Sequence, residues 1–337
     1  MSSESMNPVL LIGGSGVVGS RAAGTLRHLQ PHLPIAIAGR DSKKAAAAAA
    51  GVGGPTTTVA VDLGRADLGL PAGAAFSAVV VLLKDHLLNS MKYAQAQGLP
   101  YVAFSDFVTE IGPVVARYIH RPASAPILML GHLIGGVATL ATLHFSKAFR
   151  RVDSIALGTV VSASDTGGPA AQADFERVAQ AGQRPLILED GFWTWAGGAN
   201  ATRRFRDSHG VEREGQAIGL LDVPSLAAAT DARSIRVDLA VSESTRPATE
   251  VVIEIAGELH DGTSAKTRHA LIDADVHARL SAHGAALATE RLLGLAGGPP
   301  VAPGLHHPEG LLDPGYVLAR LEEQGVRIVK HHQGSKR

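Results

Sequence analysis

Short apolar runs alternate with helical patterns through the first third of the chain. Val9-Leu10-Leu11-Ile12 is an unbroken apolar run of strand length, the pattern of a parallel strand buried on both faces. Helical spacing follows from Val17 to Leu29. The strand pattern returns at residues 34–38, 57–63, 78–83, 101–104 and 126–130. Between these lie an alanine-rich helix at 45–50, a helix over 87–97 closed by Gly98, and a helix around 114–120. This alternation predicts α/β architecture, a doubly wound parallel sheet with helices on both faces.

From Arg151 onward the strands lengthen and follow one another with fewer helices. They are expected at 152–162, 186–189, 201–206, 235–241, 250–255 and 267–272, with only two helices, near 172–180 and 275–293. The run from Glu250 to Glu258 partly alternates apolar with polar, and His260-Asp261-Gly262-Thr263 reads as a hairpin turn. An α+β domain with a largely antiparallel sheet is expected. Residues 292–307 are rich in Gly and Pro and read as a linker or binding loop, before a helix at 311–324 and a short strand at 326–329. The basic tail 330–337 is expected to be disordered. Residues 126–143 imitate a membrane span, but Pro126, Gly131, His132, Gly135 and Gly136 break the run into strand, turn and helix.

Composition narrows the chemistry. The 337 residues carry 31 Lys plus Arg against 31 Asp plus Glu, so no overall field attracts nucleic acid or an anionic membrane. The N-terminus shows no signal peptide, and a cytoplasmic location is expected. The chain has no cysteine, which removes disulfides, thiolate metal sites and the acyl-thioester route of thiol-dependent dehydrogenases. Among 15 histidines, the adjacent pairs His306-His307 and His331-His332 point apart on extended chain, and Pro31 interrupts the helical spacing of His28 and His32. No metal is expected.

The first strand runs directly into Gly14-Ser15-Gly16-Val17-Val18-Gly19. Strand, glycine turn and helix together form a dinucleotide fingerprint. In it Gly14 is assigned the tight turn, Gly16 the close approach of backbone to a pyrophosphate, and Gly19 the packing of helix on strand. The helix N-terminus then faces the phosphates. After the second strand an acidic residue would bond a ribose 2′-hydroxyl. Here Gly39 and Arg40 stand in its place, with Lys43 nearby, which favours a 2′-phosphate and hence NADP over NAD. Asp62 and Leu63 end the third strand and Leu82 and Leu83 the fourth, where adenine and nicotinamide neighbours belong.

The order of these pieces resembles the saccharopine dehydrogenase-like family of NADP-binding reductases. The likeness rests on residues 10–20, Ala38-Gly39-Arg40-Asp41, Val61-Asp62, Gly98-Leu99-Pro100-Tyr101-Val102 before Ser105-Asp106, and on 286–294 followed by Pro303-Gly304, Pro308-Glu309 and Asp313-Pro314. The resemblance implies a Rossmann domain (1–131), an α+β substrate and dimerisation domain (132–300), and a C-terminal segment (301–337) returning to the first. It also implies a homodimer and hydride transfer with NADPH/NADP at a carbon–nitrogen bond of a small-molecule substrate. Two departures stand out. The family's Gly-x-x-Pro-Gly turn after the sixth strand is here Gly131-His132-Leu133-Ile134-Gly135-Gly136, and the chain is too short for an elaborate substrate domain.

Reduction of an imine needs a proton for nitrogen. Strand-end candidates are Lys84, Asp85, His86, Ser105, Asp106 and His132. His132 follows the sixth strand, where a substrate would lie, and histidine as a residue type suits proton transfer near neutral pH, which makes it the preferred donor; the alternative reading is a histidine hydrogen-bonded at a domain junction. Lys84 at the cleft rim and Asp106 at a helix cap have similar structural readings. Phe192, Trp193 and Trp195 read as pocket, core or interface residues, and Arg203, Arg204 and Arg206 as carboxylate holders or a solvated strand face. No tyrosine has a lysine four residues on, which excludes short-chain dehydrogenase chemistry. Enoyl reduction and NADP sensing without turnover remain the rivals.

Overall fold

A computed structural model describes residues 6–104, 107–165, 167–182 and 184–333. Two compact units emerge. One comprises Met1–Gly131, Gly167–Arg177 and Ser281–Leu312, the other His132–Thr166, Val178–Leu280 and Asp313–Arg337.

The first unit is a doubly wound parallel sheet. Its elements are β1 (Val9–Ile12), α1 (Val17–Leu29), β2 (Ile35–Gly39), α2 (Ser42–Val52), β3 (Thr56–Ala60), β4 (Ala78–Val81), α3 (Asn89–Gln97), β5 (Tyr101–Ala103), α4 (Gly112–Ile119) and β6 (Pro126–Met129). The strands lie in the order β3-β2-β1-β4-β5-β6, all parallel. The order reverses between β1 and β4, which makes their carboxyl ends the switch point where such sheets bind ligands. All four residues of β1 are buried, each contributing roughly 1.5–3 kcal/mol of hydrophobic stabilisation. On α1 the buried positions are Gly19, Ala22, Ala23 and Leu26, the spacing of a single apolar stripe. Gly98 caps α3 in the left-handed conformation, as expected.

Gly304–His306 extends this sheet beside β6. The stretch 292–307 is therefore partly strand, because its extended backbone finds an unpaired parallel edge. The return to the first unit ends at Leu312.

In the second unit α5 (Val137–Ser146) leads into the 14-residue β7 (Phe149–Ser162). After α6 (Pro169–Gln180) come β8 (Leu186–Glu189), β9 (Phe192–Trp195), β10 (Thr202–Arg206), β11 (Glu212–Ala217), α7 (Asp222–Thr230), β12 (Ser234–Ser242), β13 (Thr249–Leu259) and β14 (Ser264–Asp273). The main path is β10-β11-β12-β7-β13-β14, completed by Arg327–Gln333. It is mostly antiparallel, with β7 and β12 as its parallel pair. Residues 330–333 thus depart from the expected disorder, and 334–337 lie outside the described residues. Residues 330–333 continue the last strand along β14, whose unpaired edge supplies their backbone partners.

α7 was not foreseen. Leu220 to Thr230 contains Pro224, but a proline in the first turn removes an amide that has no helical partner. Phe192, Trp193 and Trp195 on β9 are 75%, 51% and 54% exposed, so within the chain they are not core. Arg204 and Arg206 lie on one exposed face of β10, while Arg203 turns the other way onto Asp238 and Glu254, at 2.8 and 2.6 Å. Among the described residues no helix is long and apolar enough to cross a membrane. Residues 126–143 resolve into β6, a turn and the start of α5.

Candidate functional site

The turn between β1 and α1 is built by steric exclusion. Gly13 has φ +83°, so the residue that needs left-handed backbone is Gly13 rather than Gly14. The doubled glycine hid this in the sequence. Gly14 is kept small for another reason. A Cβ there would lie 2.8 Å from the Leu11 carbonyl oxygen, while its amide donates to that oxygen at 3.1 Å. A Cβ on Gly19 would stand 2.1 Å from the Gly13 oxygen and 2.7 Å from Gly14 Cα, so α1 packs on the turn as closely as backbone allows. Gly16 is the exposed N-cap and offers no side chain to the helix. The first-turn amides of Val17, Val18 and Gly19 have no partner within the helix. Together with the helix dipole they form an anion cradle.

The other nucleotide candidates cluster at the neighbouring strand ends. Leu82 and Leu83 lie against the turn, with Leu83 Cδ2 3.1 Å and Leu82 Cβ 3.6 Å from where a Gly13 Cβ would be. Gly39 ends β2 beside Ser15, whose Oγ would be 3.7 Å from an added Cβ. Arg40 and Lys43 are exposed there. Asp41 is committed elsewhere, capping α2 by accepting the amides of Lys43 and Lys44 at 3.0 and 3.1 Å. Asp62 lies two residues beyond β3, its carboxylate accepting the Gly64 amide at 2.8 Å. The Leu63 carbonyl accepts from Asn89 at the start of α3, also at 2.8 Å.

The acid–base candidates divide. Lys84 Nζ is 3.4 Å from Glu110 Oε2, a half-buried partner that no local motif announces. Glu110 also receives a fork from Arg177, Nε to Oε1 at 2.8 Å and Nη2 to Oε2 at 3.0 Å, and the Phe107 amide at 3.2 Å. Burial pushes the Glu110 carboxyl up, but the Arg177 fork, the Phe107 amide and the Lys84 charge outweigh it and hold it below its usual range. Asp85 is buried and caps α3 through the Ser90 amide (2.8 Å) and hydroxyl (2.6 Å). His86 is exposed. Ser105 and Asp106 lie outside the described residues.

His132 belongs to the second unit. It is buried, with Nε2 2.8 Å from Ser225 Oγ. Beside it, buried Asp222 accepts the Leu133 amide and the Thr139 hydroxyl, each at 2.6 Å. Ile134 is held at φ +47°, an unusual conformation for a β-branched residue, followed by Gly135 and Gly136 at +65° and +82°. The same unit holds a pair that sequence reasoning missed. His277 Nδ1 lies 2.8 Å from Asp165 Oδ2, a carboxylate-oriented imidazole suited to proton transfer. The two stand 112 positions apart in the chain, so no local motif announces the pair.

No family model matches the sequence, and no curated protein matches it. Solved structures do. The apo form of a histidine-tagged saccharopine dehydrogenase (L-Glu forming) from Saccharomyces cerevisiae superposes with a TM-score of 0.72. The match covers 97% of this chain and 100% of that one, at 13% identity. The chain has the fold of saccharopine dehydrogenase. A probable dehydrogenase from Thermotoga maritima matches with a TM-score of 0.50 and 12% identity over 96% of this chain and 98% of that one. An oxidoreductase from Agrobacterium radiobacter, solved with NAD+, L-tartaric acid and magnesium, overlaps with a TM-score of 0.47 and 13% identity over 96% and 98%.

Proposed function

We propose that this protein is an NADP-dependent oxidoreductase that reduces the carbon–nitrogen double bond of a small imine or opine-like molecule, working as a homodimer. The observation that carries the reading is the β1–α1 turn. There Gly14, Gly16 and Gly19 hold a turn in which added Cβ atoms would crowd the Leu11 and Gly13 carbonyl oxygens, within a fold shared with saccharopine dehydrogenase.

A bound nicotinamide dinucleotide supplies a hydride for the imine carbon, and the nitrogen takes a proton. The chain's own residues do the rest. The first-turn amides of Val17, Val18 and Gly19, with Ser15 and Gly16 beside them, hold the pyrophosphate, and Leu82 and Leu83 line its far side. Arg40 and Lys43 take the 2′-phosphate, which Gly39 leaves room for, and Asp62 and Leu63 border the adenosine. Lys84 stands where the fourth strand leaves the sheet, its ammonium steadied by Glu110, and is assigned the proton donation. His132, bonded to Ser225, orders the loop after the sixth strand.

The test is consumption of NADPH with a panel of imines formed from amino acids and keto acids, followed by tracing deuterium from labelled cofactor. Label on carbon beside nitrogen supports the assignment. Label in an alkyl chain identifies enoyl reduction, and tight binding without turnover identifies a sensor.

A further inference from the structure

Helix α6 belongs to the first unit as far as Arg177, and among the described residues Gly168, Phe175 and Arg177 touch that unit. At its N-terminal end Gly168 rests against the first turn of α1. A Cβ added there would lie 2.8 Å from Val17 Cγ2 and 4.0 Å from the Val17 amide nitrogen. Further along, Phe175 meets Phe107 edge-on, with ring centroids 6.3 Å apart. Arg177 then closes its fork on Glu110, and its remaining Nη1 bonds Asp174 at 2.5 Å.

The lengths agree with a crossing. From Gly168 to Arg177 a helix advances about 13 Å. The strands β1 and β5 are two positions apart in the sheet, about 10 Å. Residues 167–177 therefore run from the turn after β1 to the loop after β5, over the carboxyl end of β4. That is the switch point. Yet no residue of α6 is buried, and Phe175 is 51% exposed. The helix thus buries no residue of its own against the unit.

We propose that residues 167–177 form a strap over the bound nucleotide, with the Arg177–Glu110 fork as its latch, so that Arg177 sets how long the nucleotide stays. The proposal rests on the reading of the first unit as a nicotinamide nucleotide site. The latch shares its carboxylate with Lys84, so release of Arg177 leaves Glu110 to Lys84, and closure of the strap is felt at the proton donor.

The experiment measures NADPH release from the full-length chain by stopped-flow fluorescence, together with hydrogen exchange over 167–177 with and without NADPH. Arg177→Ala is expected to speed release by roughly 10–100-fold, the worth of a charged hydrogen-bond pair, while association changes less than about threefold because most such effects fall on dissociation. Arg177→Lys keeps the charge but not the fork and should fall between. Gly168→Ala, which crowds Val17 at the other end of the strap, should also speed release. Protection of 167–177 should rise when NADPH binds the unaltered chain, and this readout decides alone if a variant does not fold. NADPH binding with unchanged release in both alanine variants, or without added protection of 167–177, overturns the strap and leaves the nucleotide site standing. No binding of NADPH to the unaltered chain overturns the nucleotide site itself and the strap with it.

Discussion

At Gly39 the fold leaves space for a side chain, while the proposed nucleotide leaves none for a negative one. A Cβ there would be 3.7 Å from Ser15 Oγ, ordinary contact, and the backbone is not left-handed. Gly39→Asp should therefore fold. It would set a carboxylate beside the ribose, about 5 Å from a 2′-phosphate of charge close to −2. Arg40 and Lys43 are exposed, so water screens this corner and a dielectric near 80 applies. Coulomb repulsion then comes to about 1.7 kcal/mol, or roughly 15–20-fold weaker NADPH binding. With NADH the same carboxylate accepts the 2′-hydroxyl, a gain of about 1 kcal/mol or ~5-fold. The ratio of the two dissociation constants should shift by about 100-fold in favour of NADH. Isothermal titration at one fixed ionic strength measures both constants, because screening lengths of about 8 Å make the result salt-dependent. A ratio unchanged within about threefold would show that the ribose does not lie at the end of β2, since neither the repulsion nor the new hydrogen bond would then operate.

Three further outcomes follow from the same geometry. Arg40→Ala should cost NADPH about 1.5–3 kcal/mol of binding and leave NADH nearly unchanged; equal losses in parallel titrations would remove Arg40 from the phosphate site. Asp222→Ala should strand the buried Leu133 amide and Thr139 hydroxyl that it now accepts, at about 2–5 kcal/mol. Scanning calorimetry should then show a melting temperature roughly 5–15 °C lower, and an unaltered melt contradicts the count. Burial holds the Glu250 carboxyl above its usual range despite the Ser208 amide and hydroxyl bonded to it. The native chain thus keeps a proton that the unfolded chain has released. This stability is full below the ordinary glutamate value and is lost as pH rises through the raised one. Glu250→Gln should flatten the fall of urea midpoints across the weakly acidic range; an identical slope in both proteins refutes it.

Much of the first unit was legible because its strands are pure apolar runs and its helix carries one stripe. β1 and α1 occupy the residues their patterns indicate. Gly13 was not legible, since two adjacent glycines are equivalent until φ is known. Glu110 and Arg177 were invisible for a different reason. Their bond to each other spans 67 residues, and neither sits in a motif. β11 reads Glu-Arg-Glu-Gly-Gln-Ala and has no apolar rhythm; its antiparallel ladder with β10, not its side chains, makes it a strand. The C-terminal stretch reads as one segment in the sequence, yet Gly304–His306 joins the first sheet and Arg327–Gln333 the second. Composition does not report which unpaired edge a short strand will find.

Titration of NADPH against the unaltered chain, Gly19→Ala and Gly24→Ala tests the nucleotide site most directly. On one helix, a Cβ at position 19 meets the Gly13 oxygen at 2.1 Å, whereas at position 24 nothing lies within 4 Å. Saturable binding to the unaltered chain is expected, retained in Gly24→Ala and lost in Gly19→Ala. No binding to the unaltered chain, or equal binding to all three, would contradict it.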